Sequence, residues 1–434
     1  MRLPRWISPL LIAIAWCIAA PLAPDARQSS RPIVLDHARL IDGTGAAPRD
    51  GVRVTVEGNR ITSVEPSDGR PSGSGADVVD LAGRVLMPGL IDLHFHIERD
   101  PQLAIRQLVN GVTSFRDPGQ WNDRFEGLRQ IIADEHLGGP RMALAGPHID
   151  GEHPAYPADS VVARDAEEAR RAAERNVKEG ASAIKIYFRL PLASAAAVIG
   201  VCHAHNIPCT AHLEILDAGE VLEAGLDAIE HITSFGTAIV ARERAEQYRQ
   251  QVLADNAARR DGRYALFADA RLEGPEAERL FGILERRRPF VNPTLAVFEV
   301  RAGVPREGGR LDPSVDIRGF DGMKRLTLAA FRHGARITMG GHSSVPFAER
   351  GEAPWREIEL LAEAGLTPLQ ALTAATSVGA ASLRRDDLGV IAPGKLADVI
   401  VLDRDPSTDI RAIRSVSRVM VDGRWVDRSR YLRW

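Results

Sequence analysis

The chain has 434 residues, a formal net charge of −3, 44% apolar residues and 26% charged ones. That length exceeds one small domain and suits a large domain with a lesser companion. The near-balanced charge argues against a nucleic-acid partner, and three cysteines are too few for a disulfide scaffold.

In chain order, "MRLPRWISPLLIAIAWCIAAPLAPDARQ" combines two early arginines, a short apolar run and small residues. Residues 1–26 therefore read as a signal peptide, cut between Ala20 and Arg27, and the protein as secreted or periplasmic. The apolar run is too short for a comfortable bilayer span, so no stable membrane span is expected after removal. Trp16 before Cys17 speaks against a lipid-attachment box. Cys202 and Cys209 remain in the mature chain and could pair in an oxidising compartment, although their spacing does not establish it.

Residues 32–64 alternate apolar and polar positions between Gly, Asp and Asn punctuation, the pattern of hairpins. "ADVIVLDRDP" and "VSRVMVDGRWV" repeat that style near the other end. Residues 30–87 plus 388–434 are thus expected to build one composite β-sandwich domain. Between them, strand-like runs near 86–97, 111–117, 141–149, 182–188, 208–214, 227–233, 290–298 and 336–344 alternate with helical stretches such as 163–180. Strand–helix alternation implies a parallel sheet, and eight repeats imply a closed (β/α)8 TIM barrel over 88–387. A long charged segment, about 236–287, reads as a helical insertion.

Catalytic groups of such a barrel sit at the C-terminal ends of its strands. "LIDLHFH" ends the first strand with His94 and His96, which a period of two turns to one side. That pair alone also fits two hydrogen-bonded histidines at a strand end. Lys185 lies between isoleucines in strand four, and His212, His231 and His342 end strands five, six and eight. A desolvated lysine loses its proton readily, and the neutral amine can take up carbon dioxide as a two-oxygen carbamate ligand. Four imidazoles and a bridging carbamate can hold one or two divalent ions, zinc first. Tyr187 shares the inward face of Lys185, while His148 and His153 follow strand three; all three are candidate substrate contacts. His203 and His205 precede strand five and belong to the opposite mouth, as does His333. His37 and His136 lack supporting context.

These residues, with "GVTSFRDPG", "TPLQALTAATSVGAASL" and "LGVIAPGKLADVIVLDRDP", resemble the amidohydrolase superfamily. The resemblance is to its imidazolonepropionase-like and Xaa-Pro-dipeptidase-like branch. It implies a metal set of His94, His96, carboxylated Lys185, His212 and His231, and a metal-held hydroxide attacking an amide-like C–N bond of a small molecule or dipeptide. One position departs from the family. Where an aspartate ordinarily binds metal and shuttles a proton, "MGGHSSVPF" places His342. Imidazole can still ligate a metal and exchange a proton near neutral pH, so His342 and Lys185 stand as catalytic candidates. The site becomes one charge more positive, and a single-metal site on Lys185, His212 and His231 also fits. An esterase or lactonase on the same metals is the first rival, and a catalytically degenerate binding protein the second. Substrate identity and homo-oligomer formation stay open.

Overall fold

The computed structural model describes residues 31–69 and 75–432; the segment read as a signal peptide, with Cys17, lies outside them. Strand Ile33–Leu40 pairs antiparallel with Arg49–Glu57, which pairs in turn with Arg60–Pro66. Val85–Pro88 runs parallel to the first of these and antiparallel to Val399–Leu402, with Val399 opposite Pro88. Val416–Val421 and Arg424–Trp425 continue an eight-stranded sheet in which residues from both ends of the sequence interleave. The sheet encloses its own core, including Leu35, Val54, Ile61, Leu86, Val401 and Met420. Burying each such aliphatic side chain stabilises the fold by roughly 1.5–3 kcal/mol relative to exposure.

The remainder is a (β/α)8 barrel. Its strands, in order, are Leu90–Asp92, Val112–Asp117, Arg141–Leu144 continued by His148–Asp150, Ile184–Ile186, Cys209–His212, Ala228–Glu230, Phe290–Asn292 and Arg336–Ile337. Neighbours pair in parallel. Strand three is interrupted at Gly146, whose φ of +67° suits glycine and lets the chain pass close to Asn176. Closure between strands eight and one runs through Leu93 N–H to Met339 O (2.9 Å) and His342 N–H to His94 O (2.7 Å). Most strand positions are buried, as expected of parallel strands covered by helices.

Helix Ala166–Lys178 shows why the alternation was readable. Asp165 caps it by accepting from Glu168 N–H, and Ala169, Ala172, Ala173 and Asn176 form the buried stripe. Between strands six and seven lie helices Arg242–Ala254, Arg259–Asp269 and Pro275–Arg287. The last leads into strand seven and packs Ile283 and Arg279 against Gly219, the position of a barrel crossover helix. The first two are therefore additional to the strand–helix repeat. Cys202 and Cys209 are buried and unlinked. Among the described residues no helix is long and apolar enough to cross a membrane.

Candidate metal centre and active site

His94 and His96 follow strand one in an extended segment whose other side buries Leu93, Phe95 and Ile97. Phe95 N–H bonds to Arg116 O, and the Phe95 ring meets Phe115 edge-on at 5.0 Å. The period of two thus sends the apolar side chains into the wall and both imidazoles inward. His231, next after strand six, and His342, five residues past strand eight, have φ of +61° and +64°, conformations that cost a β-carbon-bearing residue energy. The surrounding hydrogen bonds hold them there, including His231 N–H to Asn292 O at 2.8 Å.

Five imidazoles converge. Ring centroids of His94 lie 5.1 Å from His96, 4.4 Å from His231 and 5.3 Å from His342. His212 and His231 are 4.4 Å apart. One ligand atom each from His94, His96 and His342 fall within 4.8 Å of one another. Together with Lys185 they line a cavity of about 380 Å³ at the C-terminal mouth of the barrel. Sequence reasoning left His342 outside the ligand set; the structure puts it in reach of the same point as His94 and His96.

Three of the rings, His94, His212 and His231, are oriented by a partner. His94 Nδ1 lies 2.7 Å from Glu230 Oε2, His231 Nδ1 lies 2.6 Å from Thr294 Oγ1, and His212 Nε2 lies 2.9 Å from Glu214 Oε1. Buried ring nitrogens are left over: His94 Nε2, His212 Nδ1 and His342 Nδ1 have no protein partner. His96 Nδ1 stands 3.4 Å from Asp117 Oδ1, an ion-pair distance without a hydrogen bond. Buried polar atoms without partners are uncommon, and several of them around one cavity fit a cation that accepts their lone pairs.

Protonation agrees with that fit. Burial holds His94, His231 and His342 well below the ordinary imidazole value, with the Lys185 charge adding to it. Burial also carries His212 down to about 3, against the opposing pull of Glu214. These rings are neutral at physiological pH, the form that binds metals. Burial lowers Lys185 from 10.5 to about 8, opposed by the nearby Glu230 carboxylate.

Below the rings sits a buried polar floor that sequence reasoning missed. Glu230 accepts from His94, from Arg116 Nη2, from Thr210 Oγ1 and from Asn292 Nδ2. Asp92 accepts from His94 N–H, Gly341 N–H and Gln107 Nε2, tying strand one to the loop that bears His342. Burial raises Asp92 to about 6.

Tyr187 and His148 line the cavity, their rings stacked at 4.6 Å. His148 is 4% exposed, and neither ring nitrogen has a partner. Burial pushes the Tyr187 hydroxyl well above its ordinary value, so it stays a donor. His153 does not join them: it is exposed in the loop beyond strand three, outside the cavity lining. That loop turns after Asp150, whose carboxylate accepts from Gly151, Ala155 and Arg189 N–H, and His153 faces solvent. His203 and His205 lie at the other mouth, beside Asp227 and Glu174. His333 pairs with Glu285 on the outer helices.

Arg263, from the additional helices, also lines the cavity, bonded to Glu214 and 5.4 Å over the Phe298 ring. Burial pushes the Glu214 carboxyl up, but Arg263 and His212 outweigh it and leave it at about 2.

Comparison with known proteins agrees with this architecture. Residues 329–426 match the amidohydrolase family description. An adenine deaminase of Rubrobacter xylanophilus is 32% identical over 118 residues, covering 26% of this chain and 19% of that protein. An imidazolonepropionase of Pyrobaculum arsenaticum is 59% identical over 39 residues, covering 9% of this chain and 10% of that protein. The chain thus matches only a fifth or less of the length of these relatives. A Bifidobacterium longum protein proposed to be a prolidase superposes with a TM-score of 0.70 at 25% identity, covering 93% of this chain and 98% of that one. A Xaa-Pro dipeptidase with bound methionine has a TM-score of 0.68 at 20% identity, with coverage of 91% and 99%; at that identity the likeness speaks for the fold. The barrel, the sheet shared by both chain ends, the converging imidazoles and these matches together support the amidohydrolase superfamily.

Proposed function

We propose that the protein is a metal-dependent hydrolase acting on an amide-like C–N bond of a small molecule or dipeptide. One observation carries this reading: buried, neutral imidazoles with unpartnered ring nitrogens meet around Lys185 in one cavity. His94, His96, His212, His231 and a carboxylated Lys185 would hold one or two divalent ions, zinc first. When bound, such an ion polarises a carbonyl and makes water a nucleophile near neutral pH.

The chain's own groups do the remaining work. The Lys185 amine, held near pH 8, takes up carbon dioxide and releases a proton as its N–C bond forms. The neutral His342 ring accepts a proton at Nδ1 as water adds to the carbonyl carbon, then returns it to the leaving nitrogen as the C–N bond breaks. Tyr187 donates its hydroxyl hydrogen to the substrate's carbonyl or carboxylate oxygen, and His148 offers a second polar contact beside it. Barrel walls keep bulk water from these groups, which strengthens each electrostatic contact.

We further read the protein as exported, on the amino-terminal sequence alone. The test is metal analysis of purified protein, then chelation, reconstitution and assay against dipeptides, N-acyl amino acids, cyclic amides and lactones. Bound divalent metal and chelator-sensitive amide hydrolysis are expected. Absence of metal after supplementation would overturn the reading, and preferential lactone cleavage would move it to ester chemistry. His342→Asn should lower turnover by roughly a hundredfold while metal content persists.

A further inference from the structure

Glu214 stands two residues beyond His212, just past the end of strand five, and is 2% exposed. Its carboxylate is fully engaged. Oε1 faces His212 Nε2 at 2.9 Å and accepts from Arg263 Nε at 2.7 Å and from Arg263 Nη2; Oε2 accepts from Tyr248 Oη at 2.5 Å. An ionised carboxylate can only accept, so the hydrogen between it and His212 must sit on Nε2. A neutral imidazole carries one N–H, which leaves the lone pair on Nδ1. His212 Nδ1 is buried with no partner, in a ring that faces His231 and lines the cavity.

Tyr248 and Arg263 come from helices Arg242–Ala254 and Arg259–Asp269, the two additional to the barrel repeat. His94 and His231 are held differently: their partners, Glu230 and Thr294, come from barrel strand six and the turn after strand seven. An ion pair that only fastened the added helices to strand five would need no third bond to a site histidine.

We propose that Glu214, clamped by Tyr248 and Arg263, is a positioning residue that fixes His212 as its Nε2–H tautomer and presents the Nδ1 lone pair to a divalent cation. This rests on the hydrolase reading above and adds that seating of the added helices and cation affinity are coupled. Outer partners of metal-bound histidines set ring orientation and basicity, and losing one costs about 10–100-fold in metal affinity.

The test uses the full chain stripped of metal, with zinc affinity measured by competition against a chromogenic chelator. Glu214→Gln offers His212 either a donor or an acceptor, so it no longer selects a tautomer. Because it leaves the Arg263 charge buried without its carboxylate, Glu214→Gln/Arg263→Met is measured beside it. Both variants should bind zinc at least tenfold more weakly while keeping the parent circular dichroism. In parallel, long-range proton–nitrogen spectra of the metal-free parent, with His212 assigned through His212→Asn, should show a protonated Nε2 and a bare Nδ1. A protonated Nδ1 in the parent, or variants that keep parental affinity, would overturn the proposal. A parent that takes up no zinc would sink the hydrolase reading instead, while the nitrogen spectra would still decide what Glu214 does to His212.

Discussion

Incubating metal-free protein with labelled carbon dioxide across pH is expected to single out Lys185 from the surface amines. Burial brings its amine from 10.5 to about 8. At pH 7 that leaves about one amine in ten unprotonated, against roughly one in three thousand for a solvated lysine, a gain of about 300-fold. The neutral amine is the form that attacks carbon dioxide. At fixed dissolved carbon dioxide, the initial carboxylation rate should therefore rise about tenfold per pH unit below pH 8 and level off above it. Carbon-13 NMR of protein exposed to labelled carbon dioxide reads the carbamate directly, and Lys185→Met supplies the blank. A rate that keeps climbing to about pH 10, as for an exposed lysine, would refute the reasoning. So would a carbamate signal that survives in Lys185→Met.

Glu230→Gln should destabilise the fold by about 3–5 kcal/mol, because Arg116 would remain buried without its carboxylate; an unchanged urea midpoint would contradict this. Glu357 is buried in helix Ala353–Glu363, and burial raises its carboxyl from 4.5 to about 8. A raised folded-state value means its contribution is fully present below pH 4.5 and is lost as pH rises toward 8. Glu357→Gln should thus match the parent near pH 4.5 and exceed it by on the order of 4 kcal/mol at pH 8, read from urea midpoints. A Cβ at Gly119 would overlap the His148 ring. Gly119→Ala should therefore displace that ring and raise KM several-fold with metal content unchanged; parental KM would remove His148 from substrate contact.

The barrel and its inward histidines were legible because both are local patterns. His94, His212 and His231 end apolar runs, and a run plus an ionisable residue at its C-terminal end needs no knowledge of the partner strands. Their supports were not legible, since they join residues distant in sequence. Glu230 stands next to His231 in the chain, yet it orients His94 from 136 positions away. Arg263 reaches Glu214 across 49 positions and an intervening strand, and nothing in a charged helix marks which arginine turns inward. His153 shows the reverse error. Placement after a strand assigns a residue to the correct mouth, but a loop can aim it at solvent, and only His148, still within strand three, faces the cavity.

The pairing of Val399–Leu402 with Val85–Pro88 also constrains biosynthesis. Pro88 lies two residues before strand one, so the base that leads to His94 and His96 acquires one of its flanking neighbours only after nearly the whole polypeptide has left the ribosome. A nascent chain halted near residue 390 should exchange the amide hydrogens of Val85 and Met87 freely, since Leu86 already faces strand Ile33–Leu40, and release of the final stretch should slow that exchange.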